Sequence, residues 1–354
     1  MSVRFTCDGD AGLERKLAQL CDRVAVDVRA MVPADQLAGV VLGGGYGRGE
    51  GGVFRTPAGD QPYNDLEFYV FTQDSGAAGA DWHGLAEKLT AVAGIDVEFK
   101  LLPLAKLRRA APNMFYYDLI VGHRWVIGDD ALFAGCDHHR DAARIPLHEA
   151  TRLLMNRCLG LLFSAARLQP PDLGAADADF VTRNLFKAQL AFGDVVLVSH
   201  GQYHWSCAER NRRLLALPAT AAPAWLAAVQ PGHSAGVAFK LHPTPATESR
   251  PALLARHAAL LEQARQLWLW LENRRLGTAY ASGREYAASR RNKCPETPAW
   301  RNWLINARDF HRVTATRYPR EQLLHALAVW LWDPQPADLP GRIAELEPLW
   351  RRYG

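Results

Sequence analysis

The stretch LGGGYGRGE, residues 42–50, decides how the first part of this chain folds. It follows the apolar pair Val40-Val41, a pattern that predicts a buried strand ending in a tight loop. Glycines let a backbone approach phosphate oxygens closely, and the N–H groups of such a loop hold them. Arg48 offers a charge-assisted hydrogen bond to a phosphate. A glycine cluster alone is also typical of ordinary turns, so the prediction needs further residues.

Acidic residues alternate with apolar ones further along, in NDLEF at residues 64–68. Side chains two positions apart on a strand point the same way, so Asp65 and Glu67 share one face. Adjacent carboxylates repel one another unless a cation lies between them, and their oxygens are ligands that suit Mg²⁺. A solvated strand face is the alternative interpretation of this pair.

The same alternation returns in IDVEFK at residues 95–100, where Asp96 and Glu98 share a face. If the two strands are neighbours, their acidic side chains form one patch. Such a patch predicts a site for two metal ions and a general base for an attacking hydroxyl. The three patterns in this order indicate a function much more strongly than any one of them.

The rest of the first part predicts helices around a mixed sheet. Apolar positions recur at helical spacing over residues 11–32 and 81–93. Strict alternation over residues 65–71 and 95–102 predicts two half-buried strands. Residues 51–63 contain glycines, two prolines and few apolar anchors, so they predict a loop.

Beyond residue 140 the pattern becomes helical. Pro- and Gly-rich breaks separate the helical stretches, and one of these breaks covers residues 231–246. The predicted helices are 147–168, 180–199, 204–216, 249–275, 301–316, 320–332 and 339–353. We therefore predict an α+β protein, with a mixed β-sheet domain at residues 1–140 and an all-helical domain at residues 141–354.

Composition restricts the class of protein. The net charge of +4 is mild and suits an anionic ligand without requiring a nucleic acid. The six cysteines form no CxxC pair, so we expect neither a disulfide partner nor a zinc knuckle. The segment Cys136-Asp137-His138-His139 lacks a second pair of ligands nearby, so we do not expect a zinc site there. No apolar run is long enough to span a bilayer, and the first residues lack a signal-peptide core. We expect no membrane partner and a cytoplasmic location.

Residues 36–133 resemble the DNA polymerase beta-type nucleotidyltransferase superfamily. The sequence pattern of that superfamily is a glycine loop, then an acid-x-acid strand, then a third acid on a later strand. The string GGYGRGE at residues 44–50 is especially similar to the bacterial uridylyltransferases that modify nitrogen-regulatory proteins. Residues 114–133 resemble the exit from that domain. The loop between Glu50 and Asp65 is longer than in the uridylyltransferases, and the helical half does not resemble their later domains.

The resemblance implies a nucleotidyltransferase-type sheet and an Mg²⁺-dependent enzyme that moves an NMP from an NTP to an acceptor, with release of pyrophosphate. It implies two Mg²⁺ ions. The residues implied to bind the nucleotide are Gly44, Gly45, Tyr46 and Arg48; those implied to bind metal are Asp65, Glu67, Asp96 and Glu98. The acceptor is open between a small molecule, a protein and an RNA, and the preferred base is open too.

The resemblance also implies that Asp65, Glu67 and a third acid are catalytic. That third acid is open between Asp96 and Glu98, although the apolar-acid-apolar string at residues 95–97 favours Asp96. Asp96 would also help to deprotonate the acceptor. A catalytically silent relative that binds nucleotides and acts as a regulator is an alternative to the enzyme.

The helical half contributes weaker candidates. Helical domains of the superfamily often close over the nucleotide, so Lys187 is a candidate phosphate ligand, with a solvated helix face as an equal alternative. The basic stretch at residues 274–293 predicts either an RNA contact or, more commonly, a solvated surface. Arg320 and His325 have the Arg-x4-His spacing of a class of helical ribonucleases, an interpretation that requires both to lie in a cleft.

Overall fold

The computed structural model describes residues 4–73, 79–218, 223–334 and 338–354. Contacts along the chain define two compact units. The first unit comprises Met1–Ile145, His200–Arg213 and Val237–Thr244; the second comprises Pro146–Ser199, Leu214–Gly236 and Pro245–Gly354. The first unit carries the strands and the second is helical, which confirms the predicted α+β class. Two short segments of the first unit come from beyond the predicted boundary at residue 140.

The described strands belong to two sheets of the first unit. They are β1 (Leu37–Leu42), β2 (Gly52–Thr56), β3 (Gly59–Tyr63), β4 (Asp65–Thr72), β5 (Asp96–Pro103) and β6 (Arg124–Ile127). The main sheet has the order β5-β4-β1-β6. In it, β1 is antiparallel to β4 and β6, whereas β4 and β5 are parallel. The predicted strands at residues 65–71 and 95–102 are therefore confirmed as neighbours in a mixed sheet.

Alternate residues of β4 enter two separate cores. The helices that form these cores with the sheet are α1 (Ala11–Met31), α2 (Gly44–Gly47), α3 (Trp82–Ala93), α4 (Leu104–Arg109) and α5 (Met114–Val121). Leu66 and Phe68 pack with α1 and α3. Tyr69 and Phe71 pack on the opposite face with α4 and α5. Because side chains alternate along a strand, the face of Tyr69 and Phe71 continues into Asp65 and Glu67 at the start of β4.

Residues 51–63 form a hairpin, so their prediction as a loop is wrong. β2 and β3 pair antiparallel as a separate two-stranded sheet. The Tyr46 hydroxyl lies 2.8 Å from the Gly52 carbonyl oxygen and accepts the Tyr63 N–H at 2.7 Å, which ties together the two outer ends of the hairpin. Backbone hydrogen bonds and one buried tyrosine hold the strands, so they need no alternating apolar pattern.

Nine further helices follow. They are α6 (Leu147–Leu168), α7 (Ala175–Ser199), α8 (Cys207–Leu215), α9 (Leu226–Leu241), α10 (Arg250–Leu276), α11 (Gly283–Ala288), α12 (Ala299–Phe310), α13 (Arg320–Trp332) and α14 (Leu339–Tyr353) among the described residues. The predicted break at residues 231–246 is wrong in its first half, because α9 continues through Pro231. A Cβ on Gly236 would lie 2.7 Å from the Leu190 nitrogen, so this glycine permits close packing of α9 on α7 rather than ending a helix.

Two observations bear on location and on cysteine chemistry. Within the described parts of the chain, no helix combines the length and the apolar character needed to cross a membrane. All six cysteines are free thiols, and four of them are buried.

Candidate metal and nucleotide site

Three carboxylates lie together on β4 and β5. Asp65, Glu67 and Glu98 each offer one oxygen, and these oxygens all lie within 4.8 Å of one another. The parallel register places Glu67 opposite Glu98, so their side chains point to the same face. A cluster of carboxylate oxygens is the donor set that hard cations such as Mg²⁺ prefer. Candidate metal ligands predicted from two separate strands thus form one group.

Asp96, the third acid favoured by the sequence pattern, is not a member of this group; Glu98 takes that place. Asp96 pairs with Asp65 in the strand register and is the first residue of β5; it is exposed, as Asp65 and Glu98 also are. Glu98 is held towards Glu67 by a shared cation, Lys100. Both acids stand between apolar residues, so the sequence pattern had no means of separating them.

Lys100 is a member of the site that the sequence analysis missed. Its Nζ binds Glu67 Oε1 and lies 3.1 Å from Glu98 Oε2. Burial alone would lower the pKa of Lys100, but the hydrogen bond and charge of Glu67 outweigh it and raise that pKa. The signal was present, because residues 96, 98 and 100 share one strand face. A cation is therefore already accommodated between two of the three acids.

The group has three carboxylates against one lysine, so it carries excess negative charge. Burial, followed by the charges of Glu67 and Glu98, raises the pKa of Asp65 above its ordinary value. Lys100 opposes this shift and does not cancel it. A divalent cation would favour the ionised form of all three carboxylates. The donor set and its excess negative charge fit a metal cation.

The glycine loop lies directly against the acidic strand. The Gly43 N–H donates to the backbone carbonyl of Glu67 at 2.9 Å. Gly44 has φ 60°, and a Cβ at this residue would lie 3.0 Å from Glu67 Oε2. Gly44 and Gly45 open the short helix α2, so their N–H groups have no intrahelical acceptor. The N–H groups at the start of α2 thus lie beside candidate metal ligands.

Tyr46 and Arg48, the other predicted nucleotide ligands, are engaged inside the protein. Tyr46 is 2% exposed and its hydroxyl holds the hairpin, which gives it a structural role. Arg48 Nη1 donates to Asp118 Oδ2 at 3.1 Å, while its Nε is buried without a hydrogen-bond partner among the described residues. Asp118 also accepts from the Tyr203 hydroxyl at 3.1 Å.

Glu50, at the end of the glycine loop, binds the beginning of α8. Its carboxylate accepts the Cys207 N–H at 2.8 Å and the Ser206 hydroxyl. Burial alone would raise the pKa of Glu50, but the hydrogen bonds from Ser206 and Cys207 bring it below its ordinary value. The glycine loop is therefore fixed at both ends, by β1 before it and by α8 after it.

Lys240 is a second cation that the sequence analysis missed. Its Nζ is shielded from solvent, and no described residue accepts a hydrogen bond from it. Burial lowers the pKa of Lys240, and the charges of Arg48 and Arg210 act in the same direction. Three cationic side chains thus converge behind the glycine loop, contributed by segments far apart in sequence. No local pattern could have predicted this convergence.

Three candidates of the helical half, Arg320, His325 and Lys187, belong to the second unit. Arg320 is 9% exposed, and its Nε donates to the Tyr353 carbonyl at 2.7 Å. The His325 ring packs edge-on against Tyr286, with centroids 6.1 Å apart. This pair therefore does not meet the requirement of an open cleft that the ribonuclease interpretation set. Lys187 lines a groove of the helical unit.

Only part of the basic stretch at residues 274–293 is internal. Arg275 is paired with Glu272 at 2.6 Å, and the Lys293 ammonium donates to two backbone carbonyls. These contacts give Arg275 and Lys293 a packing role, whereas Arg274, Arg284, Arg290 and Arg291 are exposed. The Cys136–His139 segment also serves packing, since His139 Nε2 lies 3.0 Å from the Leu107 carbonyl.

No protein-family model and no curated protein sequence matches the chain. Functional assignment therefore depends on the geometry of the carboxylate group and the glycine loop. Both features lie in the first unit and are built on the ends of β1, β4 and β5.

Proposed function

We propose that this protein is a Mg²⁺-dependent nucleotidyltransferase that moves an NMP from an NTP to an acceptor hydroxyl. The observation that carries the proposal is the close approach of the glycine loop to the acids: a Cβ on Gly44 would lie 3.0 Å from Glu67 Oε2. Phosphate-binding N–H groups and metal-binding carboxylates must lie side by side to hold a metal–nucleotide complex. Asp65, Glu67 and Glu98 supply the carboxylates.

In this mechanism the chain positions the reactants. Gly44 and Gly45 N–H groups would bind phosphate oxygens, and Asp65, Glu67 and Glu98 would hold two Mg²⁺ ions. Mg²⁺, when bound, would supply charge neutralisation at the α-phosphate. The acceptor oxygen forms a bond to the α-phosphorus in line, while the bond to the bridging oxygen of the departing pyrophosphate breaks. The acceptor proton passes to Asp96, which is exposed beside Asp65 in the register and outside the metal-binding group.

The test is transfer of label from each α-³²P NTP in the presence of Mg²⁺, with and without cell extract as a source of acceptors. Wild type is compared with Asp65→Asn and with Glu87→Gln, a control whose side chain is 70% exposed on α3. We expect labelled product from the wild type and the control and none from Asp65→Asn. Equal transfer by Asp65→Asn would sink the proposal, as would failure of the wild type to bind any Mg–NTP.

A silent nucleotide-binding regulator is the second candidate, and one observation favours it. Lys100 already binds both Glu67 and Glu98, as a cation in a metal-independent site would. One experiment distinguishes the regulator from the enzyme. Saturable Mg–NTP binding without transfer to any acceptor supports the regulator, whereas Mg²⁺-dependent release of pyrophosphate supports the enzyme.

A further inference from the structure

A groove of about 1080 Å³ lies in the helical unit and is lined by residues of α6, α7 and α14. Its volume is near the upper end of the roughly 300–1,000 Å³ that small-molecule sites occupy. Five cationic side chains lie in its wall, and three of them are paired with acids: Arg167 with Asp177, Arg183 with Asp179 and Arg351 with Glu347. The cations are Arg157, Arg167, Arg183, Lys187 and Arg351. The groove therefore favours an anionic ligand.

Arg157 lies on α6 in the wall of the groove. Burial lowers the pKa of Arg157, and the opposing charge that acts on it is that of Asp194. Asp194 is itself bound to His233 Nε2 at 3.1 Å. A cation that has lost part of its hydration is stabilised by an anion that reaches it, so an anionic ligand in the groove is expected to complete the interactions of Arg157.

Aromatic surfaces form the rest of the wall. Phe163 and Trp350 have ring centroids 5.6 Å apart, and Trp350 is fixed by a 2.8 Å hydrogen bond from its Nε1 to Asn156. The Arg167 guanidinium lies over the Phe180 ring at 3.5 Å. Ordered rings and a stacked guanidinium are surfaces on which planar heterocycles pack.

We propose that this groove binds a nucleoside phosphate. The phosphate is held by Arg157, Arg183 and Lys187, and the base packs along the Phe163–Trp350 surface. A single phosphate would leave most of the volume unfilled, and an uncharged heterocycle would bring no anion to the cationic wall. The proposal does not depend on nucleotidyl transfer, because every residue it uses belongs to the helical unit.

The test is calorimetric titration of the whole protein with AMP, adenosine and inorganic phosphate in EDTA, which removes metal-dependent binding at the carboxylate group. We expect one AMP site and much weaker binding of the other two probes. Arg183→Ala and Lys187→Ala are each expected to weaken AMP binding by about tenfold, the loss of one charge-assisted hydrogen bond. Arg342→Ala, on α14 and outside the groove, is the matched control and should leave AMP affinity unchanged.

Two results would overturn the proposal: absence of saturable AMP binding in EDTA, or equal AMP affinity in the wild type, Arg183→Ala and Lys187→Ala. If adenosine bound as tightly as AMP, the phosphate would have no role in binding, and the proposal would be overturned as well. Asp65→Asn separates this proposal from nucleotidyl transfer, since that variant should lose transfer and keep AMP binding. Melting temperatures of each variant establish that a lost affinity is not a lost fold.

Discussion

The Lys100 ammonium lies 3.1 Å from a carboxylate oxygen of Glu98 and also binds Glu67, its neighbour across the parallel β4–β5 pair. One lysine therefore compensates two acids that the strand register forces together. Asp65 is left with a raised pKa because of burial and the charges of the same two acids. The carboxylate group is therefore only partly neutralised by the chain, and under the proposed function a cation from solution would complete it.

Lys100→Gln should make the fold more dependent on Mg²⁺. Without the ammonium, the repulsion among Asp65, Glu67 and Glu98 is uncompensated in the absence of metal. We expect a melting temperature in EDTA a few degrees below that of the wild type, and a larger gain on adding Mg²⁺. Lys88→Gln, which removes a half-exposed lysine paired with Asp27, is the control. An unchanged response to Mg²⁺ would contradict the role given to Lys100.

Asp65→Asn should stabilise the metal-free protein at neutral pH. The folded-state pKa of Asp65 is raised, so the ionised carboxylate opposes folding above that pKa, and its repulsion is relieved as the pH falls through it. The variant's advantage should therefore be present at neutral pH and vanish as the pH falls towards the ordinary value of 3.8. Melting curves in EDTA across this range measure it, with the exposed Asp35→Asn as control. A stability difference that is independent of pH would contradict the shift.

Glu98→Gln and Asp96→Asn should have different effects. Glu98 belongs to the carboxylate group, so its loss is expected to weaken Mn²⁺ or Mg²⁺ binding by at least about tenfold. Asp96 lies outside the group, so Asp96→Asn should bind metal as the wild type does while transferring nucleotide more slowly. Metal titration followed by a transfer assay on both variants gives the comparison. Weakened metal binding in Asp96→Asn alone would return the third ligand position to Asp96.

The sequence predicted those parts of the site that follow from local alternation. Asp65 and Glu67 stand out because they are the first and third residues of a strand whose second and fourth residues, Leu66 and Phe68, are buried. The choice of Glu98 over Asp96 depended on side-chain contacts with Lys100, which no spacing reveals. The role of Glu50 was missed because its partner Cys207 lies 157 residues further along the chain. Lys240 was missed because burial, which no local sequence pattern reveals, is what sets it apart.

The sequence predicted the helices and strands in which apolar residues recur regularly over many positions. It did not predict the elements that are held mainly by backbone contacts. Residues 65–71 and 95–102 lie within the strands of the structure, as predicted. The β2–β3 hairpin escaped prediction because the Tyr46 hydroxyl and backbone pairing hold it with few apolar residues. In α9, glycines that suggested a break instead permit contact with α7.

Gly44→Ala should impair both the fold and nucleotide binding. At φ 60° a Cβ is strained, and here it would also lie 3.0 Å from Glu67 Oε2. We expect a loss of about 1–3 kcal/mol in the free energy of unfolding and weaker Mg–NTP binding. Gly174→Ala is the control, because a Cβ there meets no atom within 4 Å. Urea unfolding and nucleotide titration of both variants test this, and wild-type values for Gly44→Ala would contradict it.

Glu50→Ala should remove a pH-dependent part of the stability of the first unit. The Glu50 carboxylate accepts hydrogen bonds from Ser206 and Cys207 in a buried position, and leaving these donors unsatisfied is expected to cost about 1–3 kcal/mol. Because the folded-state pKa of Glu50 is lowered, its contribution is present above the ordinary value of 4.5 and is lost as the pH falls through the folded-state value.

The free energy of unfolding in urea should therefore differ most between wild type and Glu50→Ala at neutral pH. The difference should narrow under acid conditions, as the wild-type carboxylate takes up a proton and loses its charge-assisted bonds. Glu87→Ala, on the exposed face of α3, should show no such trend. A deficit of Glu50→Ala that stays constant down to acid pH would mean that packing, and not the charge of Glu50, fixes the glycine loop to α8.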